Sequence, residues 1–327
     1  MRVLLIKMSS LGDVVHAFVP MTDAIQAKPG IVFDWVVEEA YQDIPKWHPA
    51  VGRVIVAPLR RWRKSPLKAI RSGEWKAFRH ELRREKYDIV LDAQGLLKSA
   101  FVAKQAGQPI VGRSSRTARE PAASLFYKHR IAVDLGRTEV EQLRELFGRA
   151  LGYDVPTGAA DFGIDRGQFQ KPSARPYVVL LHGAAWESKL WPEDRWIALA
   201  QNARKAGLEI YLPWGSEGER ARAERIAGAV NGIALGKLSI KDLAATIANA
   251  QFVVGLDTGL THIAIALAVP TLTLYGPSVP VYDRLARGEL INLCSTNSKI
   301  VDTSRLNTVP TEGATAAVQP WIERSAL

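Results

Sequence analysis

Short apolar runs alternate with helical patterns along the whole chain, and the alternation is laid down twice. In the first half, residues 2–6 read as a strand, Gly12 and Asp13 open a helix, and residues 31–37 and 88–91 read as further strands. A short run at 54–56 reads the same way. Helical stretches at 74–86, 96–105 and 138–151 lie among them. The second half repeats the plan. A strand at 177–181 leads to a helix started by Pro192 and stopped by Gly207, and a strand at 208–212 leads to a helix at about 216–230. Ser239 then caps another helix, and the strand 252–256, the helix 258–267 and the strand 271–275 complete the unit. A strand that feeds a helix and then another strand gives a mostly parallel sheet covered by helices. Residues 155–176, rich in Gly, Pro, Asp and Ser, read as a linker. With 327 residues, the expectation is α/β, with two doubly wound domains. Ligands bind such sheets at the carboxyl ends of the strands, so two facing domains would make a cleft between them.

Hydrophobic residues make up 47% of the chain and charged residues 23%, which excludes a disordered or fibrous protein. The apolar run at 3–6 is too short for a signal peptide. The longest apolar candidate, residues 251–275, is interrupted by Asp257 and His262, so no membrane span is expected. The lone Cys294 cannot form an internal disulfide, suits a reducing cytosol, and reads as a small residue beside a strand. The net charge of +10 is concentrated. Residues 60–86 hold eleven Lys or Arg against Glu74, Glu81 and Glu85, a local +8. Such a patch implies an anionic partner: nucleic acid, a phosphorylated lipid surface or an acidic sugar. The stretch 76–86 reads equally well as the solvated face of a helix. Arg60, Arg61, Arg63 and Lys64, set around Trp62 between Pro58 and Ser65-Pro66, read as a cationic loop.

Four segments stand where strand ends meet helix starts. Ser9-Ser10-Leu11-Gly12-Asp13 has small residues that let backbone N–H groups approach a ligand at a positive helix end. Asp13 reads either as an N-cap or as a catalytic carboxylate. Asp257-Thr258-Gly259 opens a helix that carries His262 one turn on. The Thr258 hydroxyl and the N–H groups there suit a diphosphate, although Asp257 also reads as a cap and His262 as a helix residue. Residues 182–189 supply Lys189 to neutralise a phosphate, and residues 213–217 supply Glu217 to accept from ribose hydroxyls. A surface charge is the simpler account of each. The loops at 182–189, 213–217 and 257–262 would share one sheet edge. No Cys or His cluster and no Asp-x-Asp pair is present. A metal-free, cofactor-free mechanism is therefore expected.

Residues 1–13 (MRVLLIKMSSLGD), 33–39 (FDWVVEE), 92–100 (DAQGLLKSA), 117–127 (TAREPAASLFY), 212–215 (LPWG) and 257–262 (DTGLTH) resemble the lipopolysaccharide heptosyltransferase I family, within glycosyltransferase family 9. The resemblance is collinear over nearly the whole chain. It implies a GT-B fold of two Rossmann-like domains facing a cleft, with an acceptor domain at 1–165 and a nucleotide-sugar domain at 166–312. A terminal helix at 313–327 would pack back on the first. It implies metal-independent transfer of L-glycero-D-manno-heptose from ADP-heptose to Kdo of Kdo-lipid A, with inversion, by a cytoplasmic enzyme peripheral at the inner membrane. Asp13 would be the general base. Ser10 and Gly12 would line the site on the donor side, with Lys189, Glu217, Asp257, Thr258, Gly259 and His262 on the donor. Arg60, Arg61, Arg63, Lys64, Lys98 and Arg119 would face the acceptor. Ala184 and Ala185 depart from the family, which often has phosphate-binding hydroxyls there. The alternatives are a related transferase with another nucleotide sugar, or a nucleic-acid-binding protein using residues 60–86, although no known binding motif appears.

Overall fold

The computed structural model describes residues 1–275, 290–294 and 311–325. Two compact units meet between Ile164 and Asp165, inside the Gly- and Pro-rich segment. The strands of the first are β1 (Arg2–Ile6), β2 (Val32–Val37), β3 (Val51–Val56), β4 (Ile89–Asp92), β5 (Ile110–Arg113) and β6 (His129–Ile131). They pair in parallel in the order β3-β2-β1-β4-β5-β6. The central strand β1 is RVLLI, and Val3 to Ile6 are all fully buried, as a strand covered on both faces requires. One covering layer is α1 (Leu11–His16), α2 (Phe18–Ala27) and α7 (Glu139–Leu151). The other layer contains α3 (Leu59–Lys64), α4 (Pro66–Arg71), α5 (Glu74–Arg83) and α6 (Leu97–Lys104). Trp62, Phe78, Leu82 and Ala100 pack there against Leu4, Ile6 and Val90.

The second unit has β7 (Tyr177–Leu181), β8 (Glu209–Leu212), β9 (Ile233–Ala234), β10 (Val253–Leu256), β11 (Thr271–Tyr275) and β12 (Leu290–Cys294). Its order, β12-β11-β10-β7-β8-β9, is that of the first half read from the other end, and its pairs are again parallel. Its helices are α8 (Glu193–Lys205), α9 (Glu217–Val230), α10 (Ile240–Ala248), α11 (Gly259–Ala266) and α12 (Thr311–Ser325). Ser216 and Ser239 cap α9 and α10 through their hydroxyls. The expected doubly wound class is thus present in both halves.

Two local expectations change. Residues 58–66, read as a loop, hold a short helix and the start of a second: Ser65 separates the two, and Pro66 takes the first helical position of α4, where a proline loses no bond. The chain's last helix, expected to return to the first domain, buries Ala314, Val318, Trp321 and Ile322 in the second-half core. It packs on α8, β11 and β12.

In both sheets the chain reverses direction between the two central strands, β1 and β4 in the first and β7 and β10 in the second. Such a reversal parts the loops at the strands' carboxyl ends and leaves a crevice for ligands. The residues singled out from the sequence as Ser10, Asp13 and Lys98, and as Lys189, Asp257 and His262, follow these four strands.

Candidate active site

In the first unit the loop after β4 builds the loop after β1. Asp92, fully buried at the end of β4, accepts hydrogen bonds from Gln94 N (2.9 Å), Gly95 N (3.2 Å), Ser99 Oγ (2.8 Å) and Tyr127 OH (2.8 Å). Burial pushes its carboxyl up against those donors. The fixed Gln94 Oε1 accepts from Met8 N (2.8 Å) and Ser9 N (3.1 Å), which sets the backbone leading into α1. Gly95 has φ +70°, where a Cβ would stand 3.5 Å from Arg119 N. Its carbonyl accepts from Glu120 N at 3.0 Å, so the same turn also places Arg119.

Asp13 stands on the first turn of α1, although Ser10 and not Asp13 is the N-cap. Its Oδ2 accepts from Ser10 N (2.9 Å) and Ser10 Oγ (3.1 Å). Arg119 donates to both of its oxygens, at 2.6 and 3.2 Å, and Lys7 Nζ lies 3.5 Å away. Sequence reasoning missed three members of this cluster. Lys7 is fully buried, and Glu139, the first residue of α7, reaches Lys7 Nζ at 3.2 Å, Arg113 at 3.2 Å and Arg119 at 3.3 Å. Three cations therefore surround two carboxylates. Burial alone would raise the Asp13 carboxyl, but Lys7, Arg119 and the Ser10 donors outweigh it and hold it well below the usual carboxylate range. Glu139 is lowered the same way, burial being overcome by Lys7, Arg113 and Arg119. Asp13 is thus ionised throughout the physiological range. Gly12 is buried beside it on α1. Lys98 Nζ donates to Ser9 Oγ at 3.4 Å, which brings it to the same loop.

The basic segment divides. Arg61 is committed to Glu74, at 2.9 and 2.7 Å, with Glu39 3.6 Å away, and Trp62 Nε1 donates to the same Glu74 at 2.8 Å. Arg60 lies over the Tyr41 ring at 5.8 Å. Arg63 and Lys64 are exposed. The helical form thus turns some of these cations outward and ties one down, where a loop would have left all of them mobile.

In the second unit Lys189, on a short turn after β7, donates to Asp257 Oδ2 (2.9 Å) and to Asp257 O (3.3 Å). His262 Nε2 is 3.7 Å from Asp257 Oδ1, one turn into α11. Thr258 is the N-cap of α11, yet its hydroxyl makes no capping bond, and Gly259 follows as the first helical residue. Lys189, Asp257, Thr258, Gly259 and His262 are thus brought together at one switch point. Glu217 is not: its side chain is 80% exposed and pairs with Arg220 at 3.4 Å. The acid that turns into the loops is Glu219, which accepts from Gly215 N (2.7 Å) and Ser216 N (3.0 Å). A Cβ on Gly183 would stand only 2.6 Å from its Oε1. The Ser-x-x-Glu spacing of a capping box was the sequence signal for Glu219. Ala184 packs against the second-half core, and Ala185 is exposed.

The pattern of glycosyltransferase family 9 (heptosyltransferase) matches residues 75–311. The chain is 49% identical over 284 residues to lipopolysaccharide heptosyltransferase 1 of Pseudomonas aeruginosa, covering 86% of this chain and 80% of that relative. It is 43% identical over 309 residues to lipopolysaccharide heptosyltransferase 1 of Escherichia coli, covering 90% of this chain and 97% of that one. Among solved structures it resembles the E. coli heptosyltransferase WaaC with ADP-2-deoxy-2-fluoro heptose, with TM-score 0.87 at 40% identity over 98% of this chain and 99% of that one. Pattern, identity and fold agree: this chain belongs to glycosyltransferase family 9, the heptosyltransferases.

Proposed function

We propose that the chain transfers L-glycero-D-manno-heptose from ADP-heptose to Kdo of Kdo-lipid A, in the building of the lipopolysaccharide inner core, by one inverting, metal-independent displacement. The observation that carries the chemistry is Asp13: an ionised carboxylate, 12% exposed, held by Arg119 and Ser10 at the switch point of the first sheet. Kinship supports the substrates. The relatives are lipopolysaccharide heptosyltransferases, and the WaaC structure holds an ADP-heptose analogue.

In this reading a Kdo hydroxyl attacks the anomeric carbon of heptose, its proton passes to Asp13, and the bond to ADP breaks on the opposite face. A carboxylate held so low takes a proton poorly while Arg119 is upon it. Arg119 is 38% exposed and also bonded to Glu139, so an anionic acceptor can draw it off and leave Asp13 the stronger base. Lys189, now on Asp257, and the N–H groups at Thr258 and Gly259 would take up the charge of the departing diphosphate. The enzyme would work in the cytoplasm as a peripheral partner of the inner membrane. Among the described residues no helix is long and apolar enough to cross a bilayer. The deciding assay measures ADP release and heptose incorporation from ADP-heptose and a Kdo-bearing lipid A acceptor, with and without EDTA. Transfer unaffected by EDTA is expected. No transfer to that acceptor, or faster transfer from a UDP- or GDP-sugar, overturns the reading.

A further inference from the structure

Helix α4 turns large apolar side chains outward. Leu67 is 67% exposed and Ile70 64%, while Ala69 on the opposite side is buried. At three residues' spacing the two side chains share one face, with Arg71 next to Leu67 on its other side and Lys68 further round on the flank. Nearby on α6, Phe101 is 50% exposed and stacks on Trp75 at 5.7 Å. A groove of about 690 Å³ runs between these elements, floored by Trp62, Ile70, Trp75 and Phe101. Around this apolar surface cations prevail: residues 59–71 contain six and no acid, against Glu38 in the groove lining and Glu74 on Arg61.

That charge selects the occupant. With Arg61 neutralised by Glu74, a second copy meeting this face by two-fold symmetry would still set five cations against five. Exposed aliphatic side chains interleaved with Lys and Arg instead fit the boundary between phosphate headgroups and acyl chains, where cations stay at the phosphates and apolar tips enter. We propose that the α3–α4 face is a docking surface for an anionic lipid bilayer, with Leu67 and Ile70 entering the acyl boundary and Lys64, Lys68 and Arg71 on the lipid phosphates. The purpose rests on the reading of a lipid-borne acceptor, since docking here brings the bilayer to the unit that holds Asp13. The surface itself is testable without turnover.

The test is co-sedimentation of the full chain with vesicles of phosphatidylcholine alone or with about one third phosphatidylglycerol, at about 0.1 and 0.5 M salt. Binding to the anionic vesicles should be at least about tenfold tighter than to neutral ones, and should weaken with salt. Leu67→Ser with Ile70→Ser should weaken it about tenfold or more, and Lys68→Gln with Arg71→Gln about 20-fold. All these positions are exposed, and circular dichroism would verify the fold. Transfer to a deacylated, water-soluble acceptor should stay unchanged in the Lys68→Gln, Arg71→Gln variant, whose positions lie outside the groove lined by Arg60, Arg63 and Lys98. Equal binding to neutral and anionic vesicles, variants that bind like wild type, or a solution dimer abolished by the Leu67 and Ile70 changes each overturn the proposal. Failure of wild type on the soluble acceptor would strike the transferase reading alone and leave vesicle binding to be judged by itself.

Discussion

Replacing Asp13 by Asn separates the carboxylate's chemistry from its structural duties. The amide keeps an oxygen for Ser10 N and nearly the same volume, but it loses the charge that holds Arg119 and Lys7. Charge-assisted hydrogen bonds contribute about 1.5–3 kcal/mol each. The loss here sits at the low end, because both cations keep a second carboxylate: Glu139 is 3.2 Å from Lys7 and 3.3 Å from Arg119. Lys7 also keeps Ala93 O at 3.2 Å. A destabilisation of about 1–2 kcal/mol in a unit of this size lowers Tm by about 2–8 °C, which leaves a folded protein at assay temperature. The chemical loss is larger. Removing a positioned general base costs about 10²- to 10⁴-fold in kcat, or about 3–5 kcal/mol of transition-state stabilisation. Donor affinity should stay within about threefold, under about 0.7 kcal/mol, because the residues assigned to ADP lie in the other unit. The assay is ADP release at saturating ADP-heptose, with calorimetry for the donor and a thermal melt for the fold. A folded Asp13→Asn protein that keeps more than about a tenth of wild-type kcat refutes the base assignment and reduces Asp13 to the third-position acceptor for Ser10 N in the capping box of α1.

Glu139→Gln should lower kcat about tenfold without raising the acceptor's KM, because Lys7 and Arg119 then bear on Asp13 alone and weaken it as a base, and Glu139→Asp should restore much of the rate. A rise in KM with kcat unchanged would show that Glu139 serves binding alone. Neutralising Arg60, Arg61 and Arg63 together should raise the acceptor's KM and leave the donor's Kd within about threefold, with Arg61 the smallest single contributor because Glu74 already holds it; collapse of donor binding would reverse the division of labour. Acid should weaken the first unit through His48. Its Nδ1 accepts from Ala50 N at 3.1 Å and its Nε2 faces Thr22 Oγ1 at 3.0 Å, so the buried ring is held neutral and burial lowers its pKa from 6.5 to about 4. Between those two values the unfolded chain binds the proton and the folded one does not, so stability present above pH 6.5 is lost as pH falls, by at most about 3 kcal/mol. A first-unit melting transition unmoved by acid across that window, or equally acid-sensitive in His48→Asn, would contradict this account.

How much of this could be read in advance depended on how local the determining contacts are. β1, β7 and β10 are buried strands whose own residues declare them, and the small or hydroxyl residues after β1 and β10 marked Asp13 and Asp257 as carboxylates at strand ends. β6 was missed: its three residues, His129 to Ile131, form a partly exposed edge with no apolar alternation to betray it. The helices α3 and α4 were misread because Pro58, Ser65 and Pro66 carry loop composition, while Trp62 and Ala69 pin the segment to the core through contacts that composition does not reveal. Glu217 ends the loop 213–217 that follows β8, and sequence alone does not show which way its side chain turns. The capping geometry of Ser216 turns Glu219, three residues on, into the loops and leaves Glu217 in solvent.

Glu139 lay furthest from sequence reasoning, and it alters the physics of the site most. Alone, it is an acid at a helix N-terminus, an ordinary stabilising choice for the helix dipole. Its partners Lys7 and Asp13 lie at the other end of the unit's sequence, brought near only because α7 packs beside α1 and α2. With it, each switch point holds a lysine against a carboxylate, Lys7 with Asp13 and Lys189 with Asp257, but in different surroundings. The second pair is one ammonium on one carboxylate with His262 near, and its lysine is 25% exposed. The first is a buried lysine within a group of three cations and two carboxylates, one charge short of neutral. A site left with a net positive charge, whose most exposed member is a guanidinium, is completed by an anion. The acceptor's carboxylate and phosphates supply one in the proposed reaction, and by engaging Arg119 they return to Asp13 part of its proton affinity, Lys7 staying beside it to hold the rest.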